Sequence, residues 1–347
     1  MSAMGKWQIR TLIAVLIALH FPILFPGFFA PNEYAAQNRD FPFAPPSRLH
    51  VIDSSGRTHL RLFVYGLKEN TNTGGESSYL EDQTQIFPLR LFVTSHENFA
   101  SGRQTNRLHL FGVDAPGSIF LFGTDDFGRD EFSRMLYGGR ISLVAGLIAT
   151  TIALSLAVLL GVISGYYGSW IDSAIMRCVD LFLALPWLYL LLAVRAVLPL
   201  QIKTTQTFLL LVGVIGIVGW ARPARLLRGI VLSAKERNFV MASRGMGASD
   251  FYILKRHILP QTYGTLLTLG ALLLPQFILA ELTLSFLGLG VGEPMPSWGS
   301  LLAELQKYNV LTSYWWMYLP AFSLVFLFLA YHWAAKTLEE RVAKVSL

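Results

Sequence analysis

A single cysteine, Cys178, stands among 347 residues, so no intrachain disulfide framework and no Cys-rich zinc or iron–sulfur site can form. It lies in an apolar run and is expected to be a buried small residue. Charge is scarce as well: 14% of the residues are Asp, Glu, Lys or Arg, where a soluble domain carries about a quarter. There is no G-x-x-x-x-G-K-[ST] phosphate loop, which removes that route to ATP binding. Neither a G-x-S-x-G elbow nor an H-E-x-x-H pair occurs, so an enzyme reading has no nucleophile or metal to name. No cofactor or metal is expected on this chain.

What the chain has instead is apolar length. Hydrophobic residues make up 53%, and the mean hydropathy is +0.47. A membrane crossing needs roughly 20 apolar residues. Candidate spans are Thr11–Phe29, Ile141–Tyr166, Ala174–Leu198, the shorter Phe208–Trp220, Thr262–Leu289 and Trp315–Trp333. The expected fold is an all-α membrane protein of six transmembrane helices. Lys6 and Arg10 precede the first run, which reads as an uncleaved anchor because it is long and no A-x-A-like site closes it. Pro186 and Pro275 are kink candidates first and hinge candidates second.

The pI of 9.4 raises nucleic acid as a partner, but the position of the charge argues against it. Between Arg222 and His257 eight basic residues face only Glu236 and Asp250, a net of +6 that equals the formal charge of the whole chain. A short basic block between apolar spans belongs in the cytoplasm. Alternation from there puts both termini inside, in keeping with Lys336, Arg341 and Lys344.

Residues 31–139 differ in character. LHVID (Leu49–Asp53), HLRLFVYGL (His59–Leu67), PLRLFV (Pro88–Val93) and SIFLFG (Ser118–Gly123) read as strands, with DSSG at Asp53–Gly56 as a turn and Asn70–Ser78 as a loop. Ten basic residues against thirteen acidic give the net negative charge expected outside the membrane. This predicts a small β-rich extracytoplasmic insertion between helices 1 and 2. Its histidines, His50, His59, His96 and His109, lack tight ligand spacing and are expected at the surface or at strand ends.

Glu281 falls inside the fifth apolar segment, where an ionisable side chain is costly. It and Pro275 are candidates for a translocation path or gate. A structural pairing near an interface is the competing reading of Glu281.

The segment KERNFVMASRGMGASDFYILKRHILP (Lys235–Pro260) is the most informative. Phe239, Ala242, Ser243 and Met246 fall at helical spacing on one face. Gly247 can end that helix in the left-handed conformation. Ser249 or Asp250 can cap a second short helix with Phe251, Leu254 and Ile258 on its apolar side. Pro260 suits the start of the next span. Such a helix–turn–helix fits either a lipid surface or the groove of a partner.

ASRGMGAS followed by ILP resembles the EAA loop of binding-protein-dependent ABC permeases. By position, Met241, Ala242 and Ser243 match the E-A-A triplet, Gly247 its glycine, and Ile258–Pro260 the I-x-P end; Met241 and Ser243 depart from the pattern. FGTDDFGRDEFSRMLYGGRISL, GYYGSWIDSAIMRCVDLFLALP and LSFLGLGVGEPMPSWGSLLAE are similar to the C-type permease of dipeptide and oligopeptide importers, so the resemblance covers most of residues 120–305. The tail LAYHWAAKTLEERV lacks the Gly-Asp pair of that family.

The resemblance implies a type I ABC importer permease fold in a bacterial inner membrane. Its parts would be an N-terminal tail and first helix (1–30), the β-rich insertion (31–139), a five-helix core (140–335) containing coupling loop 235–260, and a cytoplasmic tail (336–347). It also implies a second homologous permease, two ABC ATPase subunits that hold ATP and Mg, and an extracytoplasmic solute-binding protein. Phe239, Ala242, Ser243, Arg244, Met246, Gly247, Ser249, Ile258 and Pro260 would form the ATPase-coupling loop. Arg244, together with Lys255 and Arg256, suits charged partner contacts or lipid headgroups. Peptides are the implied cargo; nickel, a sugar or another small solute is the alternative, because the motifs report coupling rather than cargo.

Overall fold

The computed structural model describes residues 6–71, 77–98, 104–197 and 204–345. Residues 72–76 of the expected Asn70–Ser78 loop and the last residue of the Ala174–Leu198 run lie outside these, as do the side chains of His96, Arg341 and Lys344. Helices α1 (Lys6–Leu24) and α2 (Pro26–Phe29) precede strands β1 (His50–Ile52), β2 (Thr58–Thr71), β3 (Ser77–Pro88), β4 (Arg90–Asn98) and β5 (Gln104–Gly112). Then follow α3 (Glu131–Tyr167), α4 (Ser169–Ala184), α5 (Trp187–Val197), α6 (Thr204–Val218), α7 (Ala221–Lys235), α8 (Asn238–Gly245) and α9 (Asp250–Ile253). A π turn (Leu254–Ile258) leads into α10 (Leu259–Phe286), and α11 (Trp298–Glu304), α12 (Tyr308–Ser313) and α13 (Leu319–Val345) complete the chain.

Among the described residues, four helical runs are long and apolar enough to span a membrane: Glu131–Tyr167, Gln206–Lys235, Asp250–Phe286 and Trp315–Leu338. A fifth arises if α4 and the first part of α5 count as one span broken by a 90° bend. The first apolar helix, Arg10–Leu24, is shorter, so the expected six full-length spans do not all emerge. The expected single helix over Ala174–Leu198 is interrupted because Leu185 precedes Pro186 and is extended (φ −82°, ψ 131°), the conformation a following proline favours. The short Phe208–Trp220 run gains length the other way. It continues into α7, so the first part of the basic block is helix, not loop.

The chain forms two compact units. One comprises Met1–Ala14, Ser142–Leu284 and Leu327–Leu347. Its axis is α3, where Ala145, Ala149, Ala153 and Ala157 are buried and Gly161 and Gly165 continue the same four-residue repeat. A Cβ at Gly161 would stand 2.6 Å from the Ala224 carbonyl, and one at Gly165 would stand 2.8 Å from Val231 Cβ. The glycines therefore let α7 approach at backbone distance, the small-xxx-small packing of membrane helices. Ala157 packs with Val179, Trp220, Ala221, Ala224 and Leu227. Cys178, neighbour of the buried Val179, is exposed instead of buried as expected. In a membrane-spanning chain an apolar run marks lipid-facing and partner-facing sides as well as the core.

The other unit comprises Val15–Ile141 and Ser285–Phe326. Strands β1, β2 and β3 form an antiparallel sheet, and β4 pairs antiparallel with β5. The Asp53–Gly56 turn forms as expected: Asp53 Oδ1 accepts from the Ser55 and Arg57 amides, and Gly56 has φ +83°. These bonds hold the Asp53 carboxyl well below the usual carboxylate range, led by that from the Ser55 hydroxyl and then by His59. Ser118–Gly123, expected as a strand, is turn and coil. Its neighbours are held by an ion network: Asp125 Oδ2 lies 2.6 Å from Arg129 Nε and 3.5 Å from Arg134 Nε, and both arginines reach Glu293. His109 is buried, with Nδ1 2.5 Å from the Ala30 carbonyl oxygen, contrary to its expected surface position. His50 and His59 pair with Glu81 and Asp53. No metal-holding cluster occurs among the described residues.

Candidate functional site

The segment Lys235–Pro260 builds one folded feature on the end of α3. Helix α8 stops because Gly247 takes φ +81°, its amide donating to the Arg244 carbonyl while the Ala248 amide donates to that of Ser243. Ser249 then caps α9, accepting from the Tyr252 amide at 3.3 Å. Those two assignments of local chemistry match the sequence expectation. The second helix, however, is not separate: α9 runs through the π turn into α10, so Asp250–Phe286 is one 37-residue helix. Pro260 lies just after that turn. A proline removes one helical donor and crowds the carbonyl four residues back, and the wider π turn accommodates this without a break.

The faces differ from expectation. Val240 and Ser243 are buried, whereas Phe239, Ala242 and Met246 are exposed. Beyond the turn Ile253 and Ile258 are buried, while Phe251 points outward at 74% exposure. Val240, Ile253 and Ile258 join Val162 and Tyr166 of α3 and Val231 of α7 in one apolar cluster. Both faces of these short helices are apolar, and hydrophobic period alone does not say which one the chain keeps for itself. Its own contacts use the Val240 face. Phe239, Met241, Met246, Phe251 and Tyr252 are left as an uncovered apolar surface, edged by exposed Arg244, Lys255 and Arg256.

Polar bonds fix this platform. Tyr166 donates its hydroxyl to Asp250 Oδ1 at 2.5 Å and accepts from Arg244 Nη2 at 3.0 Å. That bond raises the Arg244 guanidinium further above its ordinary value. Two residues earlier on α3, Ser164 donates to Asp172 at 2.5 Å, and Arg228 of α7 grips both Asp172 oxygens at 2.5 Å. Neither Tyr166 nor Asp172 was among the expected site residues. Their signal lies in pairings between distant positions, which a single sequence does not display.

Glu281 is fully buried and accepts a 2.6 Å bond from the Ser142 hydroxyl. Pro275 is half-buried within α10. Near it, Leu273, Gln276 and Phe277 line an open groove of about 260 Å³ with Leu185, Trp187, Gly219 and Arg222. The break before Pro186 and the α6–α7 junction therefore meet at one place. Irregular backbone at membrane depth is tolerated where it lines a cavity or is covered by protein.

Residues 157–344 match the family described as binding-protein-dependent transport system inner membrane component. The chain is 35% identical over 240 residues to the dipeptide transport system permease protein DppC of Alkalihalophilus pseudofirmus, covering 69% of this chain and 75% of that one. It is 38% identical over 219 residues to the glutathione transport system permease protein GsiD of Escherichia coli, covering 63% and 70%. Among solved structures it is similar to a chain of the inward-facing MetNI methionine ABC transporter, with a TM-score of 0.45 and 18% identity over 61% of this chain and 97% of that one. The chain belongs to the binding-protein-dependent transport family of inner-membrane components and is a permease subunit of an ABC importer, a transport component rather than an enzyme.

Proposed function

We propose that this chain moves short peptides across the inner membrane by alternating access, paired with a second homologous permease and driven by two ATPase subunits, one of which docks on the Lys235–Pro260 platform. An external binding protein delivers the solute, and ATP and Mg reside on the ATPase subunits. The observation that carries the docking is the uncovered apolar surface of Phe239, Met241, Met246, Phe251 and Tyr252, mounted on a loop whose other face is packed against α3 and α7. Apolar anchors on a rigid support are what a helix-in-groove partner engages. The names of the dipeptide and glutathione permease relatives support peptides as cargo. Glu281 is read as a fixed acceptor bracing α3 against α10, and the groove at Arg222 and Gln276 as part of the path wall. Arg222 favours that placement, since a guanidinium facing lipid within a span is costly.

The test joins the chain to its partner permease and ATPase in proteoliposomes. Phe251→Asp should weaken ATPase capture about tenfold or more, the effect of losing an interface anchor, without loss of the permease pair. ATPase capture at wild-type affinity would sink the docking. In the same vesicles the wild-type assembly should accumulate labelled di- or tripeptides; uptake of nickel or a sugar instead would replace the cargo.

A further inference from the structure

We infer that Tyr166 is a positioning residue that pins the ATPase-facing loop to α3, so that movement of the loop is passed to that helix through one hydroxyl. This rests on the coupling role proposed above, but on different atoms. The Tyr166 hydroxyl is the meeting point of two bonds from opposite sides of the Gly247 turn: Arg244 in the last turn of α8 donates to it, and Asp250 in the first turn of α9 accepts from it. The Arg244 guanidinium also stands 5.6 Å from the centre of the Tyr166 ring. The ring itself is buried among Val162, Val231, Val240, Ile253 and Ile258.

A hydroxyl is the side-chain group suited to this place, because it donates and accepts at once. Arg244 can only donate, and ionised Asp250 can only accept. Phenylalanine would keep the packing and lose both bonds. The loop could then rotate about its Gly247 turn, with only apolar contacts to hold its register on α3. Apolar contacts are non-directional, whereas a pair of bonds meeting at one oxygen fixes an orientation.

Tyr166→Phe in the reconstituted assembly should reduce solute moved per ATP hydrolysed at least about two- to tenfold, the range of one lost hydrogen bond. Asp250→Ala should do the same, and Asp250→Asn, which keeps an acceptor oxygen, should restore most of the ratio. The Tyr166→Phe/Asp250→Ala double variant should be no worse than the poorer single one, since paired residues are non-additive. A wild-type ratio in both single variants, or additive losses, overturns the pin. Amide exchange of Arg244–Tyr252 provides a readout independent of transport: it should quicken in Tyr166→Phe while the rest of the chain is unaltered. Unchanged exchange there also overturns it. If the wild-type assembly shows no ATP-driven uptake, the transport reading fails, and amide exchange alone decides whether Tyr166 holds the loop.

Discussion

Asp130 sits immediately before α3 with its carboxyl buried, accepting from the Ser133 amide at 3.0 Å and the Ser133 hydroxyl at 2.5 Å. Burial outweighs those bonds and lifts the carboxyl from 3.8 to about 6. A raised carboxyl favours the protonated native state. Its contribution is therefore full below about pH 4 and is lost as pH rises through 6. Asp130→Asn keeps an acceptor oxygen and removes the ionisation. Relative to wild type, the variant should be about equal in stability at pH 4 and up to about 3 kcal/mol more stable at pH 7. Thermal unfolding of the solubilised chain across that interval measures the difference; a constant offset would show that Asp130 is not the titrating group. Arg129 and Arg134 serve a different purpose. By meeting Asp125 and Glu293 they tie two stretches far apart in sequence, which no local pattern could have announced.

At the scale of elements, the loop shows what a sequence can and cannot say. The Gly247 and Ser249 assignments were legible because they depend on backbone chemistry confined to a few residues. Gly247 needs its freedom for φ alone, since a Cβ there would meet nothing within 4 Å. Gly247→Val should therefore strain the turn by about 1–2 kcal/mol, and Gly247→Asn by less. Transport per ATP should fall in that order, and equal effects of the two would show that side-chain volume matters instead. The faces of α8 were not legible, because burial there follows Val162 and Tyr166, some 80 positions away. Strands β1, β2 and β4 were readable from β-branched and aromatic content. Strands β3 and β5 were not, their sequences being rich in Glu, Gln, Thr and Asn. The bend before Pro186 was anticipated as a kink, but its 90° extent was not.

For the whole molecule, membrane character was legible from composition and the family from motifs spread over residues 120–305; the apportioning of apolar runs into spans was less so, since α3 begins ten residues before its apolar run. The proposed orientation sets the Gly247 turn in the cytoplasm and the β1–β2 strands outside. In a Cys178→Ser background expressed without the ATPase subunits that would cover the site, Met246→Cys should react with a membrane-impermeant maleimide only after cells are opened, and Leu60→Cys should react in spheroplasts. Both residues are exposed within the chain, Leu60 fully. The reverse labelling pattern would invert the topology.

The bond between Ser142 and Glu281 has a mechanical consequence. From Phe251 to Glu281 the rod is about 45 Å long at 1.5 Å per residue, so a 5° tilt about one end displaces the other by about 4 Å. A 2.6 Å hydrogen bond cannot stretch over such a distance. Near its other end the same rod is fastened to α3 by Tyr166 and Asp250. The two helices are thus the rails of a ladder with a rung at each end, and any stroke delivered to the loop must swing both together or break a rung.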